Sequence, residues 1–393
     1  MKRIQATFFL ILLCVASSSA FSRPSESFSV PEGLEDEIRF WRTVFGTYGD
    51  NQVVFYDERF LNVIYEVNDF SGLAARQDLT SQVKQKIRQK EIQRTLHRIA
   101  ASLKRLAHGI PRDELTDEER YYRKLFKDIE DPDRFEKASN RILVMQGQKD
   151  RLQRAIAKSI AWMGDIESIF EENDVPKELT ALMFIESMFN PLAISNVGAS
   201  GVWQFMPATG RDYVSINKFW DDRNDILNAS AGAARFLKDL YSQTGDWALA
   251  VNSYHSGLGR ILNAVKTLGT KKIAFIIHNF QDPAYAFYSR NYVPEFYAVV
   301  SLLQNKDAFF GPIVEKDDRQ YDIVQTSSFI NLPKIAARFG IPLNVLRKLN
   351  TALKEGVLDG NLPLPPHYPL RVPKGTGYYL ANAVGFFTPT AGE

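Results

Sequence analysis

The chain has 393 residues, with 48 Lys and Arg against 46 Asp and Glu, 45% hydrophobic residues and a single cysteine. Ordinary apolar and charged fractions exclude a disordered chain, and the length suits two or three domains. A net charge of +2 lacks the concentrated basic face that nucleic-acid binding needs, so no nucleic-acid partner is expected.

The first twenty residues read as an export leader. Lys2 and Arg3 precede an apolar run from Ala6 to Ala16, close to the roughly 7–15 residues such leaders use. Ser17-Ser18-Ser19-Ala20 then offers small residues for cleavage before Phe21. The run is shorter than the ~20 residues of a membrane span; the competing reading is an internal amphipathic helix. Cys14 follows Leu13, which is not the small residue that lipid attachment wants, so a cleaved leader is expected rather than a lipoprotein. Cleavage removes Lys2, Arg3 and Cys14, leaving 46 bases against 46 acids. The mature chain, periplasmic or secreted, would then have no disulfide, cysteine nucleophile or thiolate metal site.

Residues 21–164 are expected to form an N-terminal helical domain. Its start is rich in aromatics, among them Phe40, Trp41, Phe45, Phe55 and Tyr56. From Gln82, the residues Val83, Ile87, Ile92, Leu96, Ile99, Leu103 and Leu106 trace one stripe of a long helix. Between Lys84 and Arg105 that helix carries eight Lys or Arg and one acid, Glu91. A basic face of this kind suits contact with an anionic envelope surface over residues 84–105, or simply a solvated face on a packing helix. Gly109-Ile110-Pro111 breaks the helix, and Thr116 to Glu119 starts another. Leu152, Ile156, Ile160, Met163, Ile166 and Phe170 form a further amphipathic stretch.

Residues 165–310 carry the candidate chemistry. His97, His108, His255, His278 and His367 never fall at zinc-ligand spacing, and no serine elbow, Walker loop or dinucleotide fingerprint occurs. No metal and no cofactor are expected. Pro176 opens a helix that Asn190-Pro191 closes, apolar on most sides. Glu186 sits in its last turn, with Met183 and Leu182 at i−3 and i−4. A carboxyl held there loses solvation, which raises its pKa and lets it donate a proton; the alternative is a glutamate on a narrow polar stripe. Next comes Ser195 to Pro207, where glycines permit close backbone approach ahead of a strand-like alternation, and Gln204 adds an amide suited to sugar hydroxyls. Asn252-Ser253-Tyr254-His255-Ser256-Gly257 places a tyrosine and polar groups after an apolar run. One acid with amides and aromatics suits a glycan groove.

These segments, in this order, resemble the lytic transglycosylases of glycoside hydrolase family 23, with the soluble lytic transglycosylase fold, and among them the membrane-bound type D group. The resemblance runs from about Asp165 to Leu303. It rests on Glu186-Ser187 to Pro191, Gly198 to Pro207, Ser253 to Gly257 and Tyr292-Val293-Pro294. It implies a lysozyme-like, helix-dominated α+β catalytic domain within a mainly α protein. It implies Glu186 as sole acid and base, with Ser187, Ser195, Gln204, Met206, Tyr254, His255 and Tyr292 around the substrate. The implied reaction cleaves the β-1,4 bond between N-acetylmuramic acid and N-acetylglucosamine in peptidoglycan strands without water, leaving a 1,6-anhydro end. Two positions depart from the pattern: His255 stands where Asn is usual, and Tyr288 where a Glu is usual. His255 is read as structural. Asp221, Asp222 and Asp225 are read as helix-entry caps ahead of any metal or second-acid role.

Residues 311–393 resemble a degenerate LysM glycan-binding module, through Tyr321 to Val324, Ile335 to Ile341, Leu346 to Asn350 and Leu370 to Pro373. Two other functions stay open at this point. One is a hydrolytic muramidase on the same fold, using a downstream acid to activate water. The other is a catalytically weak peptidoglycan-binding scaffold.

Overall fold

The computed structural model describes residues 28–314, 320–382 and 386–387; the leader and Cys14 lie outside the described residues. The N-terminal third runs α1 (Glu35–Gly46), β1 (Gln52–Asp57), β2 (Ile64–Asp69), α2 (Ser71–Ala75), α3 (Ser81–Ala107), α4 (Asp117–Leu125), α5 (Arg134–Ser139), β3 (Ile142–Gln146) and α6 (Lys149–Glu172). The middle holds α7 (Leu182–Ser187), α8 (Pro207–Tyr213), α9 (Ile226–Thr244), α10 (Trp247–Ser256), α11 (Leu258–Leu268), α12 (Ile273–Asn279), α13 (Phe287–Gln304) and α14 (Lys306–Phe310). The C-terminal part holds β4 (Tyr321–Thr326), α15 (Leu332–Arg338), α16 (Leu343–Leu349), α17 (Glu355–Leu358), β5 (Pro369–Pro373), α18 (Gly377–Ala381) and β6 (Phe386–Phe387). Helices dominate, and two small sheets accompany them, as a mainly α protein of α+β character should show.

The N-terminal region is not purely helical. β1 is the centre of an antiparallel sheet in the order β2-β1-β3, with Val54 opposite both Val67 and Met145. The strand is buried on both faces. Val53 and Phe55 point into a core formed with α3, α4 and α5, while Val54 and Tyr56 point into the large central core. Two-sided burial makes the run Val53 to Tyr56 uniformly apolar and erases the alternation that marks a strand. That is why helices alone were expected there.

Helix α3 is held by a Thr80 cap on the Val83 N–H and buries Thr95, Ile99, Leu103 and Leu106. Two of its bases are paired: Arg98 bonds Glu66 and Glu118, and Arg105 reaches Glu119 at 2.7 Å. The expected boundary between residues 164 and 165 falls inside α6. Side chains of α1 and α6 share one core with α7, α9, α10 and α13. Trp41 of α1 donates its indole N–H to Asn291 of α13 at 2.9 Å. The hydrophobic stripe of α6 therefore serves the central core on both sides of that boundary.

After residue 320 a separate core forms around Val324, Leu332, Leu346, Leu364 and Leu370, with β4 antiparallel to β5. The segment Phe219–Asp221 joins this module to the middle of the chain. Asp221 N–H donates to the Ala352 carbonyl at 2.9 Å, Lys354 N–H to the Phe219 carbonyl at 3.0 Å, and Trp220 packs on Tyr368 at 5.2 Å between ring centres.

Candidate active site

The backbone around Glu186 is unusual. A short 3-10 turn, Lys177–Ala181, leads into α7, which stops one residue beyond Glu186. Met188 and Phe189 then take left-handed conformations at φ 51° and 55°, and Gln204 does so at 48°. Left-handed non-glycine residues are costly, and such strain collects where the surroundings over-determine a functional loop. Ser187 secures this end: its hydroxyl lies 2.9 Å from the Val202 carbonyl and accepts the Asn190 N–H at 3.1 Å. Ser187 is thus a fastener between α7 and the following loop.

Residues 198–205 form tight turns rather than the expected strand-like segment, with only bridge pairs at Ile194 to Ser200 and Ser200 to Phe205. Gly201, at φ 83°, lies so close to the Arg223 carbonyl that an added Cβ would sit 1.7 Å from it. Only glycine fits there. The Arg223 guanidinium donates to the carbonyls of Gly198 and Phe205, both at 2.9 Å, and pairs with Asp221 at 2.7 Å. Ser195 closes the turn by accepting the Ala199 N–H at 2.9 Å. Gln204 donates its amide to the carbonyls of Ala193 and Gly201 at 3.1 and 2.9 Å, which leaves Oε1 as its unengaged atom among the described residues. Met206 is exposed on the same loop, beside exposed Leu192, Ile194 and Val197.

Three helices converge on the carboxyl. The Tyr292 hydroxyl, from α13, donates to Glu186 Oε1. The ring of His255, from α10, stacks on Tyr292 with centres 4.5 Å apart. Tyr254, next to it, donates its hydroxyl to the Trp203 carbonyl at 2.7 Å. His255 thus packs on the phenol that bonds Glu186. Burial and then Arg260 keep its imidazole below the usual pKa, so it is neutral near pH 7.

Burial in this apolar setting pushes Glu186 up to about 7, against the opposing pull of the Tyr292 hydrogen bond. A second acid, Glu295, is pushed up to about 8, by burial first and then by the nearby Glu186 charge. It lies one turn beyond Tyr292 on α13, and sequence reasoning passed over it. The signal was present, as a glutamate at i+3 from Tyr292 in an otherwise apolar stretch, but nothing local shows that this face meets Glu186. Two close carboxyls titrate as a pair. The phenolic donor favours the ionised form of Glu186 specifically, so the first charge settles there.

Asp221, Asp222 and Asp225 sit at the helix entry. Asp225 accepts the N–H groups of Leu227 and Asn228 at 3.0 Å and pairs with Arg371 of the C-terminal module. Burial raises Asp222 to about 6. Among the described residues, no three His, Cys, Asp or Glu side chains are grouped to hold a metal. Tyr288 is 70% exposed on the α13 surface.

Residues 166–277 match the Transglycosylase SLT domain family. This span contains Glu186, the Ser195 to Met206 loop, Tyr254 and His255, while Tyr292 and Glu295 lie beyond it. The membrane-bound lytic murein transglycosylase D of Escherichia coli is 28% identical over 218 residues, which cover 55% of this chain and 48% of that protein. A transglycosylase of Enterobacteria phage PRD1 is 30% identical over 92 residues, covering 23% of this chain and 33% of that protein. The chain spans about half the length of these curated relatives or less. Among solved structures, the 70 kDa soluble lytic transglycosylase of Escherichia coli covers 74% of this chain and 54% of its own, at 16% identity and a TM-score of 0.32.

Proposed function

We propose that the protein is an exported lytic transglycosylase acting on peptidoglycan. It would cleave the β-1,4 bond between N-acetylmuramic acid and N-acetylglucosamine, with Glu186 as acid and then base. The observation that carries this reading is a protonatable carboxyl near neutrality, held by the Tyr292 hydroxyl, inside a matched transglycosylase domain.

Protonated Glu186 gives its proton to the glycosidic oxygen as the C1–O bond breaks, and C1 develops oxocarbenium character. The resulting carboxylate, stabilised by Tyr292, takes the proton from the 6-hydroxyl of the same muramoyl unit while that oxygen bonds to C1. One bond is broken and one formed, no water is consumed, and Glu186 ends as it began. The C-terminal module, with its LysM-like sequence, would add a second glycan contact.

Glu295 supplies the observation behind a hydrolytic alternative, since a second carboxyl is what a water-activating muramidase needs. Burial and then the nearby Glu186 charge raise its pKa to about 8, which favours its protonated form and works against that role. Digestion of purified sacculi, with products resolved by mass, tests both readings. Transglycosylation gives 1,6-anhydro-muramoyl ends, and Glu186→Gln lowers release about a thousandfold. Reducing ends one water heavier would establish hydrolysis instead.

A further inference from the structure

A cleft of about 710 Å³ lies between the β1–β2 connection and the start of α13. Three guanidinium groups border it: Arg59 and Arg141 on one side, Arg290 on the other. Asp57, fully buried, builds the first wall. It accepts the backbone N–H groups of Arg59 and Phe60 at 2.8 and 3.0 Å, the Tyr65 hydroxyl at 3.1 Å, and one Arg141 nitrogen at 3.3 Å. Its oxygens are thereby fully engaged.

Arg141 is paired with this carboxylate, whereas Arg59 and Arg290 have no ion pair among the described residues. Arg141 and Arg59 lie 5.5 and 5.8 Å from the centre of the same Phe60 ring. Arg141 Nε is buried and has no hydrogen-bond partner, and Arg59 makes no ion pair among the described residues. Arg290 is fixed by the carbonyls of Tyr285 and Phe280 at 3.2 and 3.3 Å, which orient its charge without neutralising it. Of the acids lining the cleft, Glu37 bonds His278 at 2.9 Å and Asp282 faces Arg260 at 3.8 Å. With Arg141 offset by Asp57, Glu58 is left facing Arg59 and Arg290.

The cleft adjoins the active site across one helix. Phe287 and Arg290 of α13 line it, while Tyr292 of the same helix holds Glu186. Tyr56 packs on Phe287 at 6.2 Å between ring centres.

We propose that this cleft binds the free carboxylate end of a short peptide, the chemistry presented by the peptide stems of a peptidoglycan strand held at Glu186. The assignment of stems rests on the function proposed above; the carboxylate site itself rests on the arginines. Paired guanidiniums recognise carboxylates through forked, charge-assisted hydrogen bonds, and the volume lies within the range of small-ligand pockets.

Calorimetric titration of the full-length Glu186→Gln protein with the tripeptide L-alanyl-γ-D-glutamyl-L-lysine tests this without requiring turnover. The free acid should bind at least tenfold more tightly than its C-terminal amide, and than inorganic phosphate or acetate. Adding Arg59→Gln should weaken the acid about tenfold with an unchanged melting temperature, since Arg59 is exposed and unpaired. The proposal is overturned by absence of binding, by equal binding of acid and amide, by phosphate binding as well as peptide, or by indifference to Arg59. Failure of the wild type to cleave sacculi would sink the proposed function and leave this binding result standing.

Discussion

The carboxyl groups ahead of α9 and at the end of α7 keep opposite company. At the helix entry, Asp221 and Asp225 are 7% and 4% exposed, and each meets a guanidinium, Arg223 or Arg371. They also accept backbone N–H groups and fasten loop 198–205 and the C-terminal module in place. At the end of α7, Glu186 has no cationic partner among the described residues and accepts from a phenol. A charge matched by an arginine is locked as a charge and serves structure. A carboxyl matched by a phenol retains a proton that it can give up and take back. The two sets differ in their partners: guanidinium for Asp221 and Asp225, phenol for Glu186.

Removing an aspartate from the first region should cost the most stability. Asp225→Ala leaves Arg371 buried without its carboxylate and uncaps α9. A loss of about 3–5 kcal/mol is expected in chemical denaturation; a loss below 1 kcal/mol would mean that the pair is dispensable.

The second region should respond with the opposite sign. Glu186 has its folded pKa raised to about 7 from 4.5. Below the unfolded value both states hold the proton, and nothing is lost. As pH rises toward 7, the unfolded chain ionises first and the folded state is penalised. Glu186→Gln should therefore be more stable than wild type by about 2 kcal/mol at pH 7, with the gap closing near pH 4, while activity is lost. Melting curves across that range decide it, and a gap independent of pH would contradict a raised pKa.

The finest test concerns the phenol. Tyr292→Phe removes the donor that favours ionised Glu186, so the alkaline limb of kcat/KM should move up by about one pH unit. A limb that stays fixed would show that Tyr292 does not bond the carboxylate.

Much of the site was legible in the chain. Glu186 stood out because a lone acid among Leu182, Met183 and Phe184 is a local pattern, and Gly198 to Pro207 announced a loop by its glycines. Helix α3 followed from its apolar spacing and the Gly109-Ile110-Pro111 breaker. The roles of Ser187 and Gln204 were less legible, since their hydrogen bonds run to carbonyls of neighbouring turns whose shape no spacing reveals. The β1 strand was hidden by burial on both faces.

The sequence by itself determined which carboxyl stands in an apolar helical turn and which segments follow it, because helix periodicity and turn chemistry act within about ten residues. Tertiary structure alone decided what that acid meets. Tyr292 lies 106 residues away, and Glu295 reaches the site only because α13 runs through the central core beside α7. The cleft at Arg59, Arg141 and Arg290 likewise exists only where the β1 sheet packs against α13. Charges far apart in the chain acquire a pKa, a partner or a ligand only once packing brings them together and removes the water between them.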